Sequence, residues 1–395
     1  MPKAEAEPKK SSTDVEPTGS WDLVAEQREF VAERCGRFLR VRLLLPHSVL
    51  STSACNGGLR RDLNVLINHQ SCEGKAHQER YDWIRSLGRE GYHAYVCAQA
   101  GVEPHRAAVL GTAANMRYAS VKQVGDRESR VTAIVTAGVQ NNATAAGDPA
   151  RWREQDDRWE KIPSTAGTIN TILLINRPLR DSALVQAAMV LTEAKSSALW
   201  QLGVGSLYSR EVATGTGTDQ FCIAAADDGR PPSSSASTHV QLGQWIGVAV
   251  REAILEALRW QNGLEPSLTR SVFHALRRYG LQEEAFFDEA RSLLTAEQLE
   301  LLRNNPHAVF FEPTAAAAAY ALAAVLDRSR YGVLPPACVG EALRDQGACL
   351  AAAIAAQPAR WPELRAQLPE PDPERPAAFV AAAICLGWAQ KWKPS

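Results

Sequence analysis

Half-alternating apolar stretches, rich in β-branched residues, recur through the first two-thirds of the chain. RFLRVRLLL (37–45), SRVTAIVTAGV (129–139), TINTILLIN (168–176) and DQFCIAAA (219–226) carry this pattern and predict strands. Between them, the spacing of apolar residues predicts helices over 78–88, 103–114, 182–202 and 239–262. The stretch DDGRPPSSSAS (227–237) reads as a loop on composition. Beyond about residue 265 alanine and leucine dominate, strand patterning stops, and prolines at 335–336 and across 369–376 break helical segments. These features predict an α/β layered domain of mixed sheet and helix over 23–265, followed by an all-helical C-terminal domain or extension over 266–395.

Four short turns rich in small residues adjoin the predicted strands: NGGL (56–59), TAGV (136–139), TAGT (165–168) and TGTG (214–217). Small residues at strand ends let backbone amides approach a ligand closely. One such turn is ordinary; four, each with a threonine or asparagine, point to a shared site at a sheet edge. VATGTGTDQ (212–220) is the densest of them. In an extended conformation Thr214, Thr216 and Thr218 share one face, and Asp219 lies on the other beside Gly215 and Gly217. Neutral hydroxyls suit a ligand of amides and alcohols better than a phosphate, and the stretch holds no lysine or arginine. A turn whose threonines bond their own backbone has the same composition.

The helix before it, DSALVQAAMVLTEAKSSALWQLG (181–203), has Asp181 as its N-cap. At 100° per residue, Leu184, Ala188, Leu191, Ala198 and Leu202 form an apolar arc with Lys195 inside it, while Gln186, Glu193 and Ser197 form a polar stripe opposite. An inward lysine needs an anionic partner, and Asp219 is the nearest candidate along the chain. His239 opens the helix THVQLGQWIGVAV, with Ser237 or Thr238 as its cap, at an end that disfavours the imidazolium form.

Composition narrows the function. Charged residues are 22% of 395 and hydrophobic ones 45%, the balance of a globular protein, and the length suggests two or three domains. With a formal net charge of −1 and a pI near 6.7, the chain has no basic field for nucleic acid. Residues 1–22 read as a disordered tail without a signal-peptide core, no apolar run is long enough to span a membrane, and the eight scattered cysteines fit a reducing cytoplasm. No P-loop, dinucleotide fingerprint, HExxH or GxSxG occurs, and His69 with Cys72 makes only half of a zinc site.

SACNGGL (53–59), Asn68-His69, VTAGVQNNATAAGD (135–148), GTINTILLI (167–175), TEAKSSAL (192–199), ATGTGTD (213–219) and HVQLGQWIGVAV (239–250) together resemble the adenosylcobinamide amidohydrolase family, in order and spacing, across roughly 45–262. The resemblance implies hydrolysis of the aminopropanol amide of adenosylcobinamide to adenosylcobyric acid, in corrinoid salvage. It implies a corrinoid small molecule as the partner, with cobalt belonging to that substrate and no cofactor of the protein's own. A row of neutral hydroxyls and amides agrees with a corrin rim of propionamide and acetamide groups.

Amide hydrolysis needs an activated nucleophile, an oxyanion site and a proton for the amine. The expected catalytic residues are Glu193, Lys195, Asp219 and His239. Glu193 or Asp219 would activate water, with His239 or Asn170 orienting it, while Lys195 and the amides of Gly215 and Gly217 hold the oxyanion. A covalent route through Thr216 or Thr218, with Lys195 as base, is the alternative. Asn56, Gly57, Asn141, Thr168, Asn170, Thr214, Gly215, Thr216, Gly217 and Thr218 are the expected substrate-binding residues. A non-catalytic corrinoid carrier and a nucleotide-binding loop remain rival functions, and self-association stays open for the helical region.

Overall fold

A computed structural model describes residues 19–72, 77–150, 152–155, 158–161 and 167–392. Most of the expected N-terminal tail lies outside these residues, although Trp21 is in place, covered by the Arg40 guanidinium 3.8 Å from its ring centre. The chain forms two compact units. One comprises residues up to 201 together with 213–262; the other comprises 202–212 and 263 onward.

Among the described residues the first unit contains two large sheets and two short two-stranded ones. Strands β1 (Asp22–Gln27), β2 (Phe30–Cys35), β3 (Phe38–Leu43), β4 (His47–Ser51), β5 (Gly58–Arg60), β6 (Val65–Gln70), β7 (Ala107–Thr112), β8 (Ser120–Gly125), β9 (Arg130–Gly138), β10 (Ala143–Thr144), β11 (Trp152–Gln155), β12 (Arg158–Lys161), β13 (Thr168–Ile175), β14 (Gly215–Thr216) and β15 (Gln220–Ala226) follow in order. The first large sheet has the order β1-β2-β3-β6-β7 and the second β5-β4-β15-β13-β9-β8; each is antiparallel except for one parallel pair, β6 with β7 and β13 with β15. The short ones pair β10 with β14 and β11 with β12. Leu39, Val41, Leu66 and Leu110 of the first sheet interdigitate with Ile134, Ile172, Leu174 and Cys222 of the second, so the sheets pack face to face. Helix α1 (His77–Ala100) covers the outer face of the first sheet through Val96, Cys97 and Ala100 against Phe38, Ile67 and Val109. Helices α2 (Asp181–Gln201) and α3 (Gln241–Asn262) lie together, with α3 against β8 and β9 on the second sheet. The result is a helix–sheet–sheet–helix sandwich.

Two helices expected from the sequence come out differently. Residues 103–114 form a short 3₁₀ turn and then strand β7. Its AAVLGT sequence is buried almost throughout, and the parallel pairing with β6 overrides the helix propensity of alanine and leucine. The helix expected over 78–88 continues to Ala100, but Gly88, at φ 68° and ψ −179°, interrupts it. Strands β1, β2, β6 and β8, which had no clear signal, complete the sheets.

The second unit is helical: α4 (Pro266–Thr269), α5 (Val272–Leu276), α6 (Glu283–Leu293), α7 (Ala296–Asn304), α8 (Pro306–Phe310), α9 (Pro313–Arg330), α10 (Pro336–Ala355), α11 (Trp361–Gln367) and α12 (Pro376–Gln390). Prolines at the first turn start many of these helices, where the missing N–H costs nothing. Its core, with Phe286, Phe310, Leu322, Leu350 and Trp388, draws on this unit alone. Residues 202–212 join it through a half-buried ionic knot. Arg278 donates to both oxygens of Asp327 at 2.5 Å and to the Arg210 carbonyl at 2.8 Å, and Tyr279 donates to Asp327 at 2.5 Å. Among the described residues no helix is long and apolar enough to cross a membrane.

Candidate active site

Alternation along β13 places Ile172 and Leu174 in the layer between the sheets, so Asn170 and Thr168 continue that face toward one end of the sandwich. Asn170 stands opposite Thr136 of β9 and Gln220 of β15 in register, making a polar rung across the second sheet. The first sheet answers it. Asn170 Nδ2 donates to Asn68 Oδ1 (2.9 Å) and to the Gly111 carbonyl (3.1 Å), Asn68 Nδ2 donates to Thr136 Oγ1 (2.8 Å), and the Gly111 N–H donates to Gln220 Oε1 (2.8 Å). Among the described residues, Asn170 Oδ1 is buried without a hydrogen-bond partner. Asn68, Thr136 and Gln220 were not among the expected site residues. Their signal was a polar side chain interrupting an otherwise apolar strand face.

Beyond this rung, three of the four small-residue turns converge. β10 and β14 pair antiparallel, Ala143 with Thr216 and Thr144 with Gly215, which joins the 138–148 loop to the 213–219 loop. Gly138 faces Thr168 in register, and the Thr168 and Thr218 hydroxyls are 2.7 Å apart. Asn142 donates to the Gly167 carbonyl and its amide packs against Gly217. Of the adjacent asparagines, Asn142 is thus the buried one, while Asn141 is exposed. From the other side, Gln261 and Asn262 at the end of α3 accept the N–H groups of Asn115 and Val139.

The charged centre is Lys195 with Asp219. Lys195 Nζ donates to Asp219 Oδ2 at 2.6 Å, with side-chain exposures of 15% and 13%. Asp219 also accepts from the Thr216 N–H (2.9 Å), the Thr216 hydroxyl (2.5 Å) and the Ile169 N–H (2.9 Å). Four donors fill the roughly four acceptor positions of a carboxylate, so no lone pair is left for a water. Only glycine fits at 215, because a Cβ there would collide with the Asp219 carboxylate and the Lys195 ammonium.

This geometry corrects the extended reading of 214–219. The segment is a short strand and a turn, and Thr216 and Asp219 bond each other instead of facing apart. Thr214 Oγ1 accepts from the Ala146 N–H, and Thr218 Oγ1 donates to the Gly167 carbonyl. These hydroxyls hold the turn together. In the polar stripe of α2, Glu193 and Ser197 are exposed, while Gln186 Oε1 accepts from the Ser235 hydroxyl and the Ala236 N–H.

Four expected residues stand apart from the ion pair. Glu193 is exposed on α2, two positions and so about 200° from Lys195. His239 is exposed and precedes α3, which starts at the opposite end of β15 from Asp219; the nearby Ala236 contacts α2 at Gln186, about 13 Å along the axis from Lys195. Asn56, at φ 57°, donates to the Pro104 and Ala107 carbonyls and ties its loop to the start of β7. Gly57 follows because a Cβ would strike the Ser53 carbonyl.

Elsewhere in this unit, His69 is fully buried between Phe38 and Tyr92, with Nδ1 2.6 Å from the Tyr92 hydroxyl. Burial, reinforced by the charges of Arg80 and Arg37, pushes its pKa down to about 3. Among the described residues no group of three or more His, Cys, Asp or Glu side chains is arranged to hold a metal ion.

Residues 22–266 match the family model described as adenosylcobinamide amidohydrolase. An uncharacterized protein of Methanocaldococcus jannaschii is 31% identical over 192 residues, which is 46% of this chain and 74% of that one. An adenosylcobinamide amidohydrolase of Methanosarcina mazei is 29% identical over 163 residues (40% of this chain, 67% of the relative). One of Halobacterium salinarum is 29% identical over 187 residues (46% and 73%).

Proposed function

Because the chain belongs to the adenosylcobinamide amidohydrolase family, a family of amide-cleaving hydrolases, we propose that its α/β unit removes the aminopropanol arm of adenosylcobinamide and leaves adenosylcobyric acid for corrinoid salvage. The observation that supports this reading is the convergence of the 138–148, 167–168 and 213–219 turns around Lys195 and Asp219 at one end of the sandwich. Neutral hydroxyls, amides and close backbones surround a single ion pair there, a composition suited to an uncharged amide on a corrin rim. Asn141 and the flanking turns bind rim amides in this reading. Cobalt arrives with the substrate.

The filled carboxylate favours the covalent route. Asp219 has no acceptor position for a hydrolytic water, but the Thr216 hydroxyl already points its proton at Oδ1. Thr216 Oγ attacks the amide carbonyl carbon as its proton passes to Asp219. Lys195, with two N–H bonds beyond the one given to Asp219, stabilises the oxyanion. The C–N bond breaks as aminopropanol takes the proton, and water then cleaves the Thr216 ester and restores the hydroxyl.

Incubation of the protein with adenosylcobinamide, followed by mass spectrometry, tests both levels. Release of aminopropanol and cobyric acid is expected; tight binding with no release would make the protein a carrier. Thr216→Ser should keep turnover and Thr216→Ala should lose it. A Thr216→Ala variant at full rate would return the reaction to an activated water.

A further inference from the structure

The helical unit contains a cavity of about 590 Å³, in a part of the chain that the family match does not cover. Ala318 of α9, Ala352, Ala353 and Ile354 of α10, and Trp361 of α11 form much of its wall, with Glu312 and Lys391 as its charged residues. The cavity is open to solvent on one side, past Thr314, Ala356 and Pro358. A volume in the ~300–1,000 Å³ range, lined by apolar groups with a few polar ones, is what a bound small organic molecule occupies. Its origin is legible in the chain: Ala318 of the AAAAA run and Ala352, Ala353 and Ala356 of AAAIAA set methyl groups where longer side chains would fill the gap.

The two charges are not equivalent. Glu312 caps α9, its Oε2 accepting from the Thr314 hydroxyl at 2.5 Å and the Ala315 N–H at 2.8 Å; against desolvation, these bonds, with a smaller contribution from the Lys391 charge, hold its pKa below the ordinary carboxylate value. Lys391 Nζ donates to the Ile354 carbonyl at 2.9 Å, a neutral group at the end of α10. That bond uses one of the three ammonium N–H groups. The cavity therefore offers an apolar wall, an indole and a cation with donors to spare.

We propose that this cavity binds a compact apolar organic anion, its ring-bearing body against the alanine wall and Trp361 and its carboxylate or sulfonate on Lys391. A corrinoid is not required, so the proposal is independent of the amidohydrolase reading.

The test uses the full chain and the fluorescent probe anilinonaphthalene sulfonate, with neutral phenylnaphthylamine as control. One saturable site is expected, with tryptophan emission partly quenched as the probe brightens and that quenching reduced in Trp361→Phe. Ala353→Trp fills the cavity and should abolish binding; Ala318→Phe does the same from α9 if the first variant fails to fold. Lys391→Met should weaken the sulfonate by about tenfold, the loss of one charge-assisted contact, and leave the neutral probe unaffected. Absence of binding to the unaltered protein, or binding that survives both filling variants, overturns the proposal. Binding lost on filling but indifferent to Lys391→Met overturns its anionic part.

Discussion

Asp219 is held by an ammonium, a hydroxyl and two backbone N–H groups, and this saturation decides what the residue can do. It orients Lys195 and Thr216, and in the proposed reaction a proton would reach it from a group already bonded to it. Lys195→Ala should lower kcat by about 100-fold or more, the usual loss when an oxyanion donor is removed. Gly215→Ala should cost comparable activity while circular dichroism stays unchanged, because its methyl would push apart the pair instead of the core. Either variant at a native rate places the chemistry elsewhere. His69 gives a pH prediction of a different kind. Folded, it stays neutral down to about pH 3; unfolded, it binds a proton below its ordinary value near 6.5. Stability therefore falls as pH drops from 6.5 toward 3, by up to about 1.4 kcal/mol per pH unit from this group, and is independent of it above 6.5. Urea titrations should show that slope reduced in His69→Phe, which keeps a ring packed against Phe38. The Lys195–Asp219 partnership could be inferred from a helical wheel, because a lysine in an apolar arc demands an anion. The Asn68–Asn170–Gly111 rung could not, because it joins residues about 40 to 100 positions apart on two different sheets.

Helix α2 and the 213–219 turn are consecutive in the α/β unit, yet residues 202–212 between them belong to the helical unit. The Arg278–Asp327 pair, with side-chain exposures of 10% and 15%, holds that excursion through the Arg210 carbonyl. Removing one partner of a buried pair leaves the other charge uncompensated. Asp327→Asn should therefore destabilise the helical unit by about 3 kcal/mol, read as a lower denaturation midpoint. An unchanged midpoint would mean that the knot is solvated. At this scale legibility followed periodicity. Helices α2 and α3 and strands β9, β13 and β15 have long, regular patterns and were readable. Strand β7 was not, since a short apolar run buried on both faces has no period that distinguishes strand from helix.

For the whole molecule, the separate cores set the expectation. Among the described residues, Phe286 and Phe310 belong to a core cluster of the helical unit, and Leu66, Ile134 and Ile172 to one of the sandwich. Calorimetry should resolve two unfolding transitions, and Phe286→Ala should lower one of them, by about 3–5 kcal/mol of stability, without moving the other. A single transition that shifts as a whole would show that the units unfold together. The amino-acid sequence by itself determined the α/β-then-helical order, the two site-flanking helices, the family and the charged pair, because each depends on local periodicity or on a few neighbouring residues. Only the tertiary structure decided which turns share one place, that Glu193, His239 and Asn56 stand apart from it, and that Asp219 has no free acceptor. Those facts depend on strand order and register, and hydrogen bonds between residues distant along the chain exist only once the sheets have paired.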